Sequence, residues 1–351
     1  MRALVFTGAG DATVATLPVP EPGPGEVLVR VSVCGVCGSD AAEYDHGPVL
    51  TSPPVVLGHE FAGTVERIGP DVEGLAVGAT VVCGAGVSCG TCRACLRGRT
   101  NLCERYRTAG LQSDGGLAEF AVVPGSVLLD VSGTGLSPDT LALAQPMSIA
   151  VHAVRRSGLG PSDHAVIVGT GGIGAFLVVA AAAVGQRVLA VDLDPERLAL
   201  ARRLGAHEVL DAHGGSVADR LQQLGMSPDV LFEVSGSAAG LRSVLDAARP
   251  GSTIVPVGIQ RTDVTVPLAQ WTVREYTVIG TNAHVFADDL PEAVRLLAAR
   301  DDWSDVAPLA LPLEHAVSEG LEPLRAGTST RIKTLIDPRA EAPRPADHRR
   351  N

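Results

Sequence analysis

The stretch Gly169-Thr170-Gly171-Gly172-Ile173-Gly174 constrains the fold of this chain more than any other. It follows the apolar run Val166-Ile167-Val168, which reads as a buried strand, and it opens an alanine-rich helical run. Arg187 to Val191 then reads as the next strand, and Asp192 ends it. Glycines in a G-x-G-x-x-G pattern are weak evidence alone. Strand, glycines, helix, strand and acid in that order describe a βαβ unit built to hold a dinucleotide. The glycines let backbone amides approach a pyrophosphate at the helix N-terminus. Asp192 would accept hydrogen bonds from the adenosine ribose and repel a 2′-phosphate, which favours NAD(H) over NADP(H). Arg197 is a candidate for the adenine side; a surface helix residue with no such role is the equal alternative.

The strands on either side of this unit differ in character. Val27 to Val33, Phe61 to Ile68 and Ala118 to Val123 are β-branched and separated by Gly/Pro turns, so residues 1–147 read as a β-rich domain. Residues 148–284 read as the βαβ domain. Residues 285–337, with a helix over Leu290 to Arg300 and a strand near Ile332 to Ile336, read as a return to the first domain. The Pro/Arg/Ala-rich tail 338–351 reads as disordered. A chain of 351 residues with 40 glycines suits such a two-domain α/β protein.

The formal net charge of -11 argues against a nucleic-acid or anionic-membrane surface. No signal segment is visible, and the longest apolar run, Ala175 to Val184, is half a membrane span. A cytoplasmic location follows as an expectation, and there the seven cysteines stay reduced.

Four of those cysteines cluster. Cys89, Cys92, Cys95 and Cys103, in a lobe over about 84–108, follow C-x2-C-x2-C-x7-C, a spacing that lets four thiolates converge on one tetrahedral zinc ion. Four cysteine ligands leave no open position, so the role is structural. An iron–sulfur cluster is the competing assignment, disfavoured by the long final gap. A sparser constellation comprises Cys37 in Cys34-Gly-Val-Cys37-Gly-Ser39-Asp40 and His59-Glu60 in Gly58-His59-Glu60-Phe-Ala-Gly63. A thiolate, an imidazole and one oxygen would leave a fourth position on zinc for substrate or water. A buried cysteine and a core histidine are commoner in isolation; the flanking residues shift the balance.

With these motifs together the chain resembles the zinc-dependent medium-chain dehydrogenases, closest to the butanediol and sorbitol (polyol) dehydrogenase branch. Glu43-Tyr44, Asp114-Gly-Gly-Leu-Ala-Glu119 and His152-Ala-Val-Arg-Arg-Ser-Gly158 extend the likeness, which covers about residues 1–337. The resemblance implies a GroES-like catalytic domain with an inserted Rossmann domain, an NAD-dependent zinc enzyme acting on a small alcohol, diol or polyol, and a homodimer or homotetramer. It implies two zinc ions per chain. It assigns Cys37 and His59 to catalytic zinc, Glu60 beside or on the metal, Asp40 to orienting His59, and Ser39 to taking the substrate's hydroxyl proton. Ile173, Asp192, Arg197, Val257, Gly258, Ile259, Thr281, Asn282, Ala283 and Arg331 match cofactor-contacting stretches. Two positions depart from the branch: Gln145, a further candidate ligand of the catalytic zinc, stands where a zinc-ligating or zinc-proximal glutamate precedes proline, and Ala42 where a proton-relay histidine is frequent. Two further readings therefore stay open: a reductase of an iminium or conjugated C=C substrate, and an NAD-binding protein with an impaired site. Tyr44, His46 and Trp271 are candidates for the substrate pocket.

Overall fold

The computed structural model describes residues 1–260 and 262–349. The chain divides into two compact units, Met1–Ser148 with His284–Asn351, and Ile149–Ala283.

The first unit is organised on the strand Glu26–Val36, whose Val27, Val29, Val31 and Val33 are fully buried while Arg30 points to solvent. That alternation is what a strand does when its inward positions are β-branched. It pairs antiparallel with Glu60–Ile68 on one side and with Thr334–Asp337 and Phe120–Pro124 on the other. Residues from both ends of the sequence thus share one sheet. Phe6, Leu57, Phe61, Leu117 and Leu313 fill the core beneath it.

The second unit is a parallel sheet of six strands among the described residues. Their order is Glu208–Asp211, Arg187–Asp192, His164–Val168, Val230–Glu233, Thr253–Pro256 and Thr277–Val278. Helices Gly172–Ala182, Pro195–Arg203, Val217–Leu224 and Ala238–Ala247 connect successive strands. The order reverses between His164–Val168 and Val230–Glu233, and a crevice opens beyond the carboxyl ends of strands at such a reversal. Val166, Leu189, Leu231 and Ile254 are buried on nearly all sides, as strands covered on both faces require. This is the doubly wound Rossmann architecture expected from the glycine fingerprint.

The tail departs from the disorder expected of it. Arg344–Pro345 adds antiparallel to the strand Leu309–Pro312. The Arg344 guanidinium reaches both oxygens of the buried Asp139 at 2.6 and 2.9 Å and Asp337 at 3.0 Å. His348 sits between Thr140 and the Ala307 carbonyl at 2.9 and 2.8 Å. A Pro/Arg-rich composition reads as disorder because it offers little to bury; here specific charge pairing and strand addition replace hydrophobic burial. Residues 350–351 lie outside the described residues.

Candidate functional site

Three side chains converge at the end of the central strand of the first unit. Cys37 ends the loop after Glu26–Val36 and caps the helix Gly38–His46, its amide donating to Asp40 Oδ2 at 2.9 Å. His59 precedes the strand Glu60–Ile68, and Glu60 lies opposite Gly35 in the register. The ligand atoms of Cys37, His59 and Glu60 all lie within 4.8 Å of one another. Gly58, just before the histidine, has φ +98°, and a Cβ there would meet Leu117 and the Cys34 sulfur at 2.7–2.8 Å. Only glycine turns the chain there and delivers His59 inward.

The electrostatics of this cluster ask for a cation. His59 Nδ1 faces Asp40 Oδ1 at 3.3 Å, and both residues are buried. That contact directs the other ring nitrogen, Nε2, away from Asp40, where Ser39 Oγ lies 3.3 Å from it. Burial opposes charging His59, yet the neighbouring Asp40 carboxylate and Cys37 thiol raise its proton affinity well above the ordinary histidine value. A nitrogen and a sulfur donor held by anionic neighbours suit zinc, so the residues fit the metal. Glu60 is less available: both its oxygens contact the buried Lys333 ammonium, at 2.5 and 2.6 Å. Burial works against a charged Lys333, but Glu60 and Cys37 outweigh it and push its basicity up.

Neighbouring candidates are less engaged. Gln145 is buried in the first turn of Ala144–Ser157, its carbonyl accepting from Ser148 Oγ. Ala42 is half-buried on the helix Gly38–His46. Glu43 beside it accepts from the amides of Val49, Leu50 and Thr51 and from the Thr51 hydroxyl at 2.7–3.0 Å. Burial would raise its pKa; these donors hold it below the ordinary carboxylate value. Tyr44 is buried in the first unit's core, and Trp271 packs against the core of the second. His46 is exposed, 3.0 Å from Asp45.

The four clustered cysteines also meet, with all ligand atoms within 4.8 Å. The Cys89 sulfur accepts from the Cys92 amide and the Cys103 sulfur from the amides of Cys89 and Arg105, each at 3.3 Å. Donors from Thr91 and the Cys92 amide bring the Cys89 thiol down to about 5. Amides aimed at sulfur stabilise thiolates, the form that binds metal. A short ladder between Gly86–Val87 and Arg107–Thr108 closes the lobe.

The glycine fingerprint lies at the strand reversal of the second unit. Gly169 has φ +96°, and a Cβ on it would sit 2.7 Å from the Ser235 amide. Gly172 and Ile173 begin the helix that Gly171 caps, and Gly174 packs against the Gly169 carbonyl. Asp192 Oδ2 accepts from the Thr170 amide and hydroxyl at 2.6 and 3.0 Å, and Oδ1 accepts from the amides of Leu193 and Asp194. A cleft of about 500 Å³ is lined by Gly169, Gly171, Asp192, Arg197, Ser235 and Ser243 among others. Val257 and Gly258 donate their amides to the Glu233 carbonyl, and Ile259 is exposed. Thr281, Asn282 and Ala283, the last with φ +48°, end this unit. Arg331 belongs to the first unit and donates to Glu319 at 3.1 Å.

Two residues escape sequence reasoning. Glu233 is fully buried at the end of its strand, and its carboxylate gathers Ser235, Gly236 and Gln260 at 2.5–3.3 Å, joining two loops at the cleft. Its signal was an acid ending an otherwise apolar strand. Lys333 is the other, and its signal was being the only lysine in the chain.

Comparison with known proteins matches two family models, the alcohol dehydrogenase GroES-like domain over residues 23–133 and the zinc-binding dehydrogenase over residues 172–299. Human sorbitol dehydrogenase is 32% identical over 97% of each chain. Bacillus subtilis 2R,3R-butanediol dehydrogenase superposes with a TM-score of 0.87 at 29% identity, covering 96% of this chain and 99% of that one. A zinc-binding dehydrogenase of Sinorhizobium meliloti, solved with NADP, superposes at 0.89 with 30% identity, covering 96% and 99%. The sulfur–nitrogen donor pair, the four-cysteine lobe and the glycine crevice stand in the order that these matches span, and the chain therefore belongs to the zinc-dependent medium-chain dehydrogenases, in their alcohol and polyol oxidoreductase branch.

Proposed function

We propose that the protein transfers hydride between NAD(H) and a small secondary alcohol, diol or polyol and its ketone. The observation that carries this reading is the set Cys37, Ser39, Asp40 and His59 gathered at the end of one strand, with Asp40 and His59 buried and Cys37 and Ser39 half-buried. Cys37 and His59 hold the metal, and Asp40 fixes the tautomer that leaves His59 Nε2 as the ligating atom. When bound, zinc supplies Lewis acidity toward the substrate oxygen and the nicotinamide takes up hydride. Ser39, beside His59, receives the hydroxyl proton. Glu43 is committed to the backbone of residues 49–51 and Ala42 cannot titrate, so water carries the proton onward.

Gly169, Gly171, Gly172, Ile173 and Gly174 receive the pyrophosphate, and Asp192 with Arg197 the adenosine half. Val257, Gly258, Ile259, Thr281, Asn282 and Ala283 line the nicotinamide half. Arg331 is the remaining proposed cofactor contact, carried over from the resemblance. Cys89, Cys92, Cys95 and Cys103 hold a second, structural zinc. We further infer a homodimer or homotetramer in the cytoplasm, in keeping with cysteines that are all unpaired among the described residues.

The absence of a titrating side chain at position 42 favours one rival, reduction of an iminium or conjugated C=C bond. A panel of alcohols, polyols, ketones, cyclic imines and enones, followed by nicotinamide absorbance with metal analysis on the same preparation, separates them. Turnover of a polyol or secondary alcohol with NAD+ is expected. Turnover confined to imines or enones would replace the leading reading, and tight NADH binding without turnover of any class would defeat both.

A further inference from the structure

Glu233 ends the strand Val230–Glu233 and is fully buried. The next strand of the parallel sheet, Thr253–Pro256, runs into residues 257–260. This short loop has little to bury, since Ile259 near its end is 88% exposed. A segment without apolar burial keeps one conformation only if polar contacts offset its backbone entropy. Here both ends of the loop are tied to one residue. The amides of Val257 and Gly258 donate to the Glu233 carbonyl at 2.7 and 2.9 Å. Gln260 Nε2 donates to Oε2 of the Glu233 carboxylate at 2.8 Å. The other carboxylate oxygen, Oε1, serves a different loop. It accepts from the amide and hydroxyl of Ser235 at 2.8 and 2.5 Å and from the Gly236 amide at 3.1 Å. Ser235 lines the cleft of the glycine fingerprint. The two loops also touch directly, because a Cβ on Gly258 would stand 2.2 Å from the Gly236 amide.

We propose that Glu233 and Gln260 are positioning residues for the nicotinamide half of the cofactor. This rests on the reading above that residues 257–259 line that half. One carboxylate holds the cleft loop through Oε1 and the nicotinamide loop through Oε2, so both take their places from the same group. Hydrogen bonds to an ionised acceptor are about twice as strong as neutral ones. A loop already held in place costs less to order when the ligand arrives, and that saving appears as affinity. Only a ligand that reaches residues 257–259 draws on it. Gln260 is the contact that can be broken while the Ser235 and Gly236 bonds stay in place.

The test compares NADH with ADP-ribose, which lacks the nicotinamide, by calorimetric titration of the full-length protein. Gln260→Leu is expected to weaken NADH about tenfold, the loss of one hydrogen bond to a charged group, and ADP-ribose less than about twofold. Gln260→Glu sets two carboxyl groups against each other, and they can bond only by sharing a proton. Its NADH affinity should therefore match that of Gln260→Leu at about pH 8 and recover toward the parent's at about pH 6, while Gln260→Leu shows no such recovery. The double variant Glu233→Gln/Gln260→Glu exchanges donor and acceptor across the same gap and should restore the parent's NADH affinity at about pH 8. Unchanged NADH binding by Gln260→Leu, or an equal loss for both ligands, would overturn the proposal and leave the cofactor assignment standing. A double variant as weak as Gln260→Glu at the higher pH would overturn it too. If the parent binds NADH no more tightly than ADP-ribose, the nicotinamide reading of residues 257–259 fails and the proposal with it.

Discussion

At the scale of single residues, carboxylates decide most of what is specific here. Glu43 is buried and accepts four hydrogen bonds, three of them from backbone amides. Bonds to a charged group are worth about 1.5–3 kcal/mol each, with much non-additivity, so Glu43→Gln should destabilise the protein by about 2 kcal/mol near neutrality. Because the folded state depresses its pKa, that stabilisation is full above the ordinary carboxylate value of 4.5 and disappears as pH falls through the lower folded value. Urea unfolding of both proteins across pH 7 to pH 3 should show the gap closing only in the acid range. A gap that persists unchanged at pH 3 would assign Glu43 a purely steric role. Asp192 acts on specificity. Its four internal hydrogen bonds fix a carboxylate at the strand end, beside the cleft. Asp192→Ala should narrow the preference for NAD+ over NADP+ at least tenfold in kcat/KM, about 1.4 kcal/mol. Equal use of both cofactors by the parent would refute the argument. Asp192 was legible from its distance to the glycines. Glu60 was legible as a donor, but its partner was not, because the pairing depends on strand register across the whole sequence.

The local elements were the most readable, since their signals lie within a few residues. The four-cysteine lobe and the strand–glycine–helix unit were both found from spacing alone, and the structure assembles each. The lobe has little apolar content to hold it. Its helix Arg93–Leu96 has four residues and buries none of them, so the metal must supply its order. Cys95→Ser should release this zinc and raise protease cleavage within residues 84–108, while NADH binding by the second unit changes less than twofold. Mass spectrometry of limited digests and fluorescence titration measure the two effects. An uncleaved, metal-free lobe would show that the ladder at Gly86–Val87 suffices. Metal analysis of the parent after mild chelation should retain about one zinc per chain, because four sulfur ligands outlast the sulfur–nitrogen site. Loop conformations were not legible. The turn at Gly58 and the cradle around Glu43 arise from tertiary contacts that no local pattern encodes.

For the whole molecule, composition misled at the C-terminal tail. Its arginines and prolines suggest a solvated chain, yet Arg344 neutralises Asp139 and Asp337, and His348 fills a polar niche. Removing residues 338–351 should leave the buried Asp139 carboxylate without its cation and expose the edge of Leu309–Pro312. A loss of about 3 kcal/mol and increased aggregation are expected, checked by denaturant unfolding and light scattering. Unchanged stability would make the tail an ornament of the fold.

Because the first unit draws its central sheet from both ends of the sequence, its assembly during synthesis has a fixed order. The strand Thr334–Asp337 and Lys333 leave the ribosome long after Glu26–Val36 and Glu60–Ile68, whereas Ile149–Ala283 has by then emerged whole. The nucleotide-binding unit can fold on the growing chain, since domains generally fold as units. The metal-binding unit must wait, with Glu60 lacking its counter-charge and residues 34–36 of its central strand unpaired on one side until Thr334–Asp337 arrives. On the nascent chain, this unit is the one that a chaperone or a premature metal ion would meet unfinished.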